Sequence, residues 1–501
     1  MPSFLIYTLG CKLNQLESEA LADAFLREGF SRASFSPEAR PARAAAGEGT
    51  PDQGDEAFSG GGPAVLIINT CTVTSKAEQK ARRVIRKALR DCPGASVIVT
   101  GCYARLDPDD IAALEAEAAG PAGLSFPRER RLFVFREKKA LLELPRRLRG
   151  ANAAGLASLI DSLSRDPGAC SESAAAGEKA FAFAPEYFSV HSRSFLKIQD
   201  GCDRHCTYCR ARLARGKSVS LPAEKALAEL DALERKGYRE AVLTGLNITQ
   251  YRDPPPESGA AEAGGLCRSG DLAGLLEFLL TGTRDIALRL SSLAPDEIKD
   301  GLTRVLAHPR IRPHFHLSVQ SGSALVLEKM GRGYTPADVE ESAALLRSIR
   351  GDPFLACDII TGFPGESEGE FEKTLSLCRN IGFAWIHAFP YSKRPGTPAF
   401  SFRNPVSERE AVHRVEILLK LARQGRSGYI KRWLGREVEA LTEAEHEKKP
   451  GYCRGVSDNY LKLRIKCSES PPPGVALRCR IIKEAPLFAE NVYDAEAESL
   501  V

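Results

Sequence analysis

The chain has 501 residues, 43% hydrophobic and 27% charged, an ordinary composition for a soluble globular protein long enough for two or three domains. No apolar run approaches about 18 residues and the opening MPSFLIYTLG carries no basic leader, which argues against a spanning helix and a signal peptide and predicts a cytoplasmic protein. The net charge of +4 permits nucleic-acid binding, and fourteen cysteines without a secretion signal favour metal or redox chemistry over disulfides.

Residues 1–149 predict an N-terminal open α/β domain. Its three short apolar runs, SFLIYTLGC, AVLIINTC and SVIVTGC, are typical of buried parallel strands, and helical patterns lie between them. Each run leads directly into a cysteine: Cys11, Cys71 or Cys102. Because the carboxyl ends of parallel strands form one edge of a sheet, we expect these three thiols to converge there. Three unrelated buried thiols are the alternative.

Three stretches have the composition of insertions. Residues 33–62, 150–184 and 252–270 are rich in Ala, Gly, Pro and Glu, and this predicts surface loops or linkers without a core of their own. The second stretch, 150–184, marks the expected boundary between the first two domains.

Residues 185–431 predict a central α/β domain. Amphipathic helical patterns separate six apolar strand candidates, SFLKIQDGC, EAVLTGLNI, IALRLSSL, HFHLSVQSG, FLACDIITGFPG and WIHAFPYS. Six β/α units indicate a β/α barrel or partial barrel with its function on the loops that follow the strands. Alternating, turn-bounded segments then predict a small all-β barrel at 432–487, followed by a loose acidic tail at 488–501.

The stretch DGCDRHCTYC holds Cys202, Cys206 and Cys209 directly after the first strand candidate of the central domain. A structural zinc site needs four ligands, whereas a compact run of thiolates is typical of an iron–sulfur cubane. Three thiolates leave one iron of a cubane open to bind a cofactor or a substrate. A zinc site or a disulfide is the alternative.

The spacing C-x3-C-x2-C after the first barrel strand resembles the radical S-adenosylmethionine (SAM) superfamily. Further motifs occur in order: TLGCKLNQLES, INTCTVTSKAEQKARR, VTGCYAR, LTGLN, LSSL, QSGSALVLEKMGRGYT, DIITGFPGES and FPYSKRPGTPA. Together they resemble the methylthiotransferases, which join an N-terminal cluster domain, a radical SAM barrel and a C-terminal TRAM domain. The resemblance spans nearly the whole chain apart from the three insertions.

This resemblance implies two 4Fe-4S clusters and SAM as cofactors. The three cysteines of the central loop match the ligands of the cluster whose open iron binds SAM, and an electron from that cluster cleaves SAM to a 5′-deoxyadenosyl radical. The three strand-end cysteines of the N-terminal domain match the ligands of a second cluster. That cluster is implied as the carrier of the sulfur atom that is inserted and methylated.

Other residues are candidates for binding SAM. They are Tyr208, Thr244, Gly245, Asn247, Gln320, Ser321, Gly362 and Pro364. Tyr208 lies between two cysteines, as in the pattern of the superfamily, and the others follow predicted strands. For those others, an ordinary β–α turn or a hydrogen bond within the fold is the alternative interpretation.

The resemblance also predicts a substrate. The stretches GCKLNQ and HAFPYSKRPGTPA resemble the branch that adds a methylthio group to carbon 2 of N(6)-threonylcarbamoyladenosine at tRNA position 37. Methylthiolation of isopentenyladenosine in tRNA or of a ribosomal protein aspartate is the alternative. The expected partners are tRNA, an electron donor and a sulfur source, the last two of unknown identity, and no membrane.

A hypothesis of another class is a non-catalytic RNA-binding protein on a degenerate radical SAM scaffold. Its motivation is Arg210 and Arg212, which stand where related enzymes continue with an apolar stretch that contains a proline. All six predicted cluster thiols are present, which argues against degeneracy.

Overall fold

The computed structural model describes residues 2–33, 63–118, 130–150, 153–165, 180–185, 188, 192–254, 270–444, 451–468, 471–485 and 493–500. The chain divides into two compact units, residues 1–187 with 210–216 and residues 188–209 with 217–501. The predicted insertions 33–62 and 252–270 lie almost entirely outside the described residues, as do Cys170 and Cys267. Within the described ranges, no helix is long and apolar enough to cross a membrane.

The first unit is a five-stranded parallel sheet with helices on both faces. Its strands are β1 Ser3–Thr8, β2 Ser31–Arg32, β3 Val65–Thr70, β4 Ser96–Gly101 and β5 Leu132–Val134, in the order β2-β1-β3-β4-β5. Its helices are α1 Lys12–Arg27, α2 Ser75–Asp91, α3 Cys102–Leu106, α4 Pro108–Ala118, α5 Ala140–Leu148, α6 Ala153–Arg165 and α7 Ala211–Arg215. The central strands β3 and β4 are buried along their whole length, which explains why they are continuous rather than alternating apolar runs.

The interpretation of residues 150–184 as a linker without a core is wrong in part. Helix α6 buries Leu156, Ile160 and Leu163 in the core of the first unit, and Phe183 is buried there as well. The three helix residues are spaced i, i+4 and i+7, so they form one apolar face. Composition alone concealed this spacing because small and polar residues surround it.

The second unit contains the expected partial β/α barrel. Its parallel strands are β6 Ser194–Lys197, β9 Glu240–Thr244, β10 Ala287–Leu290, β11 His314–Gln320, β12 Phe354–Thr361 and β13 Trp385–Pro390. A short antiparallel pair, β7 Gln199–Asp200 and β8 Val219–Ser220, follows the first of these. The sheets β10-β9-β6 and β11-β12-β13 are joined by parallel bridges from Leu288 to Ile311 and from Leu293 to Leu317.

Helices surround these strands. They are α8 Ala223–Arg235, α9 Leu272–Gly282, α10 Asp300–Leu306, α11 Ala324–Lys329, α12 Pro336–Arg350, α13 Glu368–Ile381 and α14 Glu408–Trp433. The α/β class and the six predicted strands of the partial barrel are confirmed.

The remaining strands form a closed five-stranded barrel, as the sequence predicts. They are β14 Glu437–Glu443, β15 Tyr452–Ser457, β16 Lys462–Lys466, β17 Ala476–Glu484 and β18 Ala495–Ser499, in the order β14-β15-β16-β18-β17. Strand β18 corrects the prediction of a loose tail at 488–501, because it pairs with both β16 and β17. Its alternating Ala and Glu residues bury Ala495 and Ala497 completely, a period-two pattern that small side chains concealed.

A buried ion network joins the partial barrel to this small barrel. The Glu240 carboxylate accepts two hydrogen bonds from Arg289, at 2.7 and 3.1 Å, and one from Arg312, at 2.9 Å. Arg289 also donates to the carbonyl oxygen of Ser457, and Arg312 donates to Glu439 at 2.6 Å. Burial alone would raise the pKa of Glu240, but the two guanidinium groups outweigh it and lower the pKa to about 2.

Substitutions of Glu240 and Glu439 compare the contributions of the buried and the exposed carboxylate of this network to stability. Glu240→Gln leaves Arg289, which is 1% exposed, without its counter-ion, and we expect a loss of about 3–5 kcal/mol in the free energy of unfolding. The matched control Glu439→Gln removes a carboxylate that is 51% exposed from Arg312, the second arginine that binds Glu240, and should cost about 1 kcal/mol or less. Denaturant unfolding measures both variants, and equal losses would contradict the prediction.

Glu240→Gln should also change how the free energy of unfolding depends on pH. Because the folded pKa of about 2 lies below the ordinary value of 4.5, ionised Glu240 stabilises the fold above pH 4.5, and this stabilisation is lost as the pH falls toward 2. The acid-side fall in unfolding free energy should therefore be shallower in Glu240→Gln than in the parent protein.

Candidate functional site

The first unit gathers three thiols at one edge of its sheet. Thr8 pairs with Asn69 and Thr70 pairs with Gly101, so β1, β3 and β4 end side by side. Cys11 is the N-cap residue of α1, Cys71 follows β3 directly and Cys102 opens α3. The predicted convergence of the strand ends is therefore present.

The closest approach in this cluster involves a glycine. Gly10 has φ +110°, and a Cβ atom built on it would lie 2.7 Å from Cys71 Cβ and 3.1 Å from Cys71 Sγ. The loop before Cys11 thus packs directly against the Cys71 side chain. Burial, with a smaller contribution from the neighbouring thiols of Cys11 and Cys102, raises the pKa of Cys71 to about 12, although the backbone N–H of Val73 and the charge of Arg215 oppose the rise.

Two buried asparagines clamp the loops that carry these thiols. Asn14 donates to the carbonyl oxygens of Leu9 at 2.7 Å and Thr70 at 3.0 Å. Asn69 donates to the carbonyl oxygen of Asn14 at 2.9 Å and to the hydroxyl of Ser18 at 3.0 Å. Both amides are fully buried, so the ends of β1 and β3 are held by hydrogen bonds that water does not compete for. The motifs GCKLNQ and INTC contain both residues, but the sequence analysis gave neither a role.

The second unit carries the other three thiols on the loop after β7. The Cys209 N–H donates to the Cys206 carbonyl oxygen at 3.2 Å. Burial raises the pKa of the Cys202 thiol, although the backbone N–H of Arg204 and the side chain of Asn247 hydrogen-bond to it and oppose the rise. The nearby Cys206 thiol raises it as well, so Cys202, Cys206 and Asn247 lie together.

Gln199 organises the start of this loop. Its side-chain amide donates to the carbonyl oxygens of Asp200 and Gly201 at 2.9 and 2.7 Å, and its Oε1 accepts from the backbone N–H of Asn247 at 2.9 Å. A Cβ atom on Gly245 would lie 2.8 Å from that same Oε1, so the glycine is required for the approach. The TGLN turn after β9 is thus packed directly against the cysteine loop, and the sequence analysis missed Gln199 as its link.

The GRGY turn supports the other end of the loop. Arg332 donates from Nη2 to the Tyr208 hydroxyl at 2.8 Å, and Thr207 donates its N–H to the Met330 carbonyl oxygen at 3.0 Å. Gly331 has φ +72°, and a Cβ atom there would lie 2.9 Å from the His205 carbonyl oxygen. Burial raises the pKa of Tyr208 well above its usual range, since the ring packs in an apolar cluster that includes Phe363. Arg332, which the sequence analysis did not single out, fixes the orientation of this tyrosine.

The remaining predicted SAM-binding residues lie at strand ends, with contacts inside the fold. Thr244 ends β9 and is 1% exposed. Ser321 is fully buried and pairs with the hydroxyl of Thr374 on α13 at 3.2 Å. Gln320 ends β11 with φ +67°, a strained backbone for a residue other than glycine that costs about 1–3 kcal/mol.

The GFPG turn after β12 is held by contacts with helix α14 and with Glu366. A Cβ atom on Gly362 would lie 2.4 Å from Ala411 Cβ on α14, and Pro364 is buried beside it. Glu366, itself paired with Arg414 at 2.8 Å, accepts the Gly362 N–H at 2.5 Å. These contacts agree with an ordinary turn, and a role of Gly362 and Pro364 in SAM binding stays a prediction.

Each thiol set fits the donor chemistry of a cubane with one open iron: three cysteines on rigid loops at the edge of a sheet. In the N-terminal set, the residue before Cys11 packs directly against the Cys71 side chain. Within the described ranges, no three His, Cys, Asp or Glu side chains are arranged to hold a single metal ion.

Comparison with known proteins identifies the family. The Radical SAM superfamily profile matches residues 196–378, and the profile of uncharacterized protein family UPF0004 matches residues 55–122. The chain is 38% identical to the threonylcarbamoyladenosine tRNA methylthiotransferase MtaB of Treponema pallidum, over 93% of this chain and 95% of that protein. It is 32% identical to the protein of the same name in Thermotoga maritima, over 92% and 91% of the two chains.

The chain belongs to the methylthiotransferase family of radical SAM enzymes, in its threonylcarbamoyladenosine tRNA branch. A tRNA-2-methylthio-N(6)-dimethylallyladenosine synthase of Hahella chejuensis is also similar, at 30% identity over 91% of this chain and 90% of that protein. The resemblance stated from the sequence motifs is confirmed. For a methylthiotransferase, the two thiol sets are the features of greatest interest, and the assignment of individual residues to clusters stays a prediction.

Gly10 provides a direct test of the N-terminal geometry. Gly10→Ala places a methyl group against Cys71 on a backbone with positive φ, and we expect a loss of about 2 kcal/mol or more in the stability of the first unit. Gly94→Ala is the matched control, because its Cβ atom would have no neighbour within 4 Å. Hydrogen exchange of peptides from residues 2–33 measures the effect, and unchanged protection in Gly10→Ala would show that the packing is wrong.

Proposed function

We propose that this protein adds a methylthio group to carbon 2 of N(6)-threonylcarbamoyladenosine at position 37 of tRNA. The single observation that carries this proposal is 38% identity across 95% of a protein named for that tRNA modification. The two thiol sets support it, since a sulfur-inserting radical enzyme needs both a radical source and a sulfur carrier.

The cofactors of this activity are SAM and iron–sulfur clusters. Cys202, Cys206 and Cys209 are proposed to hold one 4Fe-4S cluster, with SAM at its open iron. The second cluster is proposed on Cys11, Cys71 and Cys102. The buried Cys71 thiol must lose its proton when metal binds, because only the thiolate is a ligand.

When bound, the clusters and SAM supply a carbon radical and a sulfur atom for insertion at an unactivated C–H bond. The contribution of the chain is to hold the thiols in position. Gln199 and Arg332 fix the two ends of the central loop, and the half-buried Tyr208 packs against Phe363 beside it.

Two surfaces support tRNA as the substrate. Helix α2 begins just after Cys71 and carries a row of basic residues spaced three or four apart, namely Lys76, Lys80, Arg83, Lys87 and Arg90. On the small barrel, the Arg464 guanidinium lies over the rings of Tyr493 at 4.4 Å and Tyr452 at 5.2 Å. Basic rows bind phosphates, and aromatic rings with arginines stack on bases.

The reaction further implies a one-electron donor and a sulfur donor as partners, because every reductive cleavage of SAM consumes an electron and every turnover consumes a sulfur atom. We propose the cytoplasm as the location, where the tRNA substrate is found.

The cluster assignment predicts iron content. Anaerobically reconstituted protein should bind about eight irons per chain, and about four should remain when the three cysteines of either set are changed to Ala. Cys92→Ala is the matched control, since Cys92 is a buried thiol of the first unit and should leave eight irons in place. Four irons in the unsubstituted protein would remove the second cluster. Cys206→Ala should also abolish SAM cleavage.

The substrate is tested in the cell. Mass spectrometry of tRNA nucleosides from a strain that lacks this protein should show loss of 2-methylthio-N(6)-threonylcarbamoyladenosine with accumulation of its unthiolated precursor. Re-expression of the parent gene, but not of a Cys206→Ala variant, should restore it. Loss of the methylthio isopentenyl nucleoside instead would favour the alternative tRNA substrate, and no change in either nucleoside would favour a ribosomal protein or a non-catalytic role.

A further inference from the structure

The segment 210–216 follows Cys209 directly in the chain and belongs to the first unit. It consists of Arg210, the short helix α7 and Gly216, whose φ of +81° ends the helix. Arg210 and Arg215 lie at its two ends, and both side chains are buried, with 7% and 8% exposure. A buried arginine needs ionic partners, and these two have different ones.

Arg210 joins the loop after β3 to the helix after β4. Its Nη1 and Nη2 donate to the two carboxylate oxygens of Asp107 at 2.9 and 3.0 Å, a bidentate pair. Nη1 also donates to Glu78 at 3.1 Å, and Glu78 accepts from the Thr72 hydroxyl at 2.5 Å. Thr72 immediately follows Cys71, and Asp107 is the C-cap of α3, which Cys102 opens. One guanidinium group therefore links the loop that follows Cys71 to the end of the helix that begins at Cys102.

Arg215 acts on the remaining loop. It donates to Glu17 at 2.9 Å and to Asn14 Oδ1 at 3.0 Å. Asn14 is the amide that clamps Leu9 and Thr70, so Arg215 orients the clamp between the loops of Cys11 and Cys71. Lys138 binds the other side of Glu17.

Ion pairs hold both arginines in place. Arg210 pairs with Glu78 and Asp107, and Arg215 pairs with Glu17, which also pairs with Lys138. Glu17 lies on α1, Glu78 on α2 and Asp107 at the end of α3, and these are the helices that follow the three thiols. The ion pairs therefore fix the position of the elements next to the thiols.

We infer that Arg210 and Arg215 are positioning residues for the N-terminal cluster, and that segment 210–216 is a strap that fixes its three thiols. The inference rests on the proposed second cluster. The sequence alone indicated no role for Arg210, and its pairing with Asp107 and Glu78 supplies one. Groups that orient metal ligands typically change metal affinity 10- to 100-fold when removed.

The test isolates the N-terminal cluster. In a background with Cys202, Cys206 and Cys209 changed to Ala, the protein is reconstituted anaerobically, and loss of iron to an excess chelator is followed by absorbance. Arg210→Leu should release iron at least tenfold faster than the background protein, and the electron paramagnetic resonance spectrum of its reduced cluster should shift. Arg210→Lys keeps the charge but not the bidentate pair, so its rate should be intermediate.

Arg86→Leu is the matched control, because it removes an exposed ion pair with Glu117 from the same unit and should release iron at the background rate. Hydrogen exchange of the cluster-free proteins shows whether Arg210→Leu folds. If Arg210→Leu loses iron no faster than Arg86→Leu, segment 210–216 does not position the thiols, although the N-terminal cluster is present. A background protein that binds no iron overturns the second cluster and the strap together.

Should Arg210→Leu fail to fold, Asp107→Asn removes the charge and one of the two acceptor oxygens of the same bidentate pair with little change in side-chain size. It should release iron several-fold faster than the background protein with a shifted spectrum. An unchanged rate and spectrum in that variant would overturn the inference.

Discussion

Parallel strands that end at the same edge of a sheet are the constraint on which both thiol sets depend. In the first unit, this geometry brings Cys11, Cys71 and Cys102 together although long segments separate them in the chain. In the second unit, the parallel strands β6 and β9 end side by side, and the chain that continues from β6 meets the turn after β9. An edge of this kind offers loops that can vary in sequence while the strands beneath them stay fixed.

The same placement makes the most buried of these thiols difficult to ionise, because burial disfavours the charged form. This thiol is Cys71, whose pKa is raised to about 12. Around both sites, amide and guanidinium groups hold the loops in place. Asn14 and Gln199 donate to backbone carbonyl oxygens, and Arg332 donates to the Tyr208 hydroxyl. Such groups are stable in the interior only when they are hydrogen-bonded, so they hold the loops in one arrangement.

Sequence motifs selected six of the fourteen cysteines as candidate ligands and predicted the order of the three folded regions, because cysteine spacing and strand periodicity are local properties. Three features could not be predicted in this way. Helix α6 and strand β18 carry their apolar pattern on small or scattered residues, which composition conceals. The partners of Arg210 lie far away in the chain, and no single sequence without aligned relatives indicates which carboxylate meets which arginine.

Strand β18 has a consequence for how the small barrel is completed. It lies between β16, to which it is parallel, and β17, to which it is antiparallel, so it closes the barrel. Without residues 495–499, both neighbours would expose a row of unpaired backbone groups, and open edges of this kind pair with other chains. A proteolytic nick or a frameshift ahead of this short strand would thus turn a closed barrel into an aggregation-prone sheet, even though all six thiols were untouched.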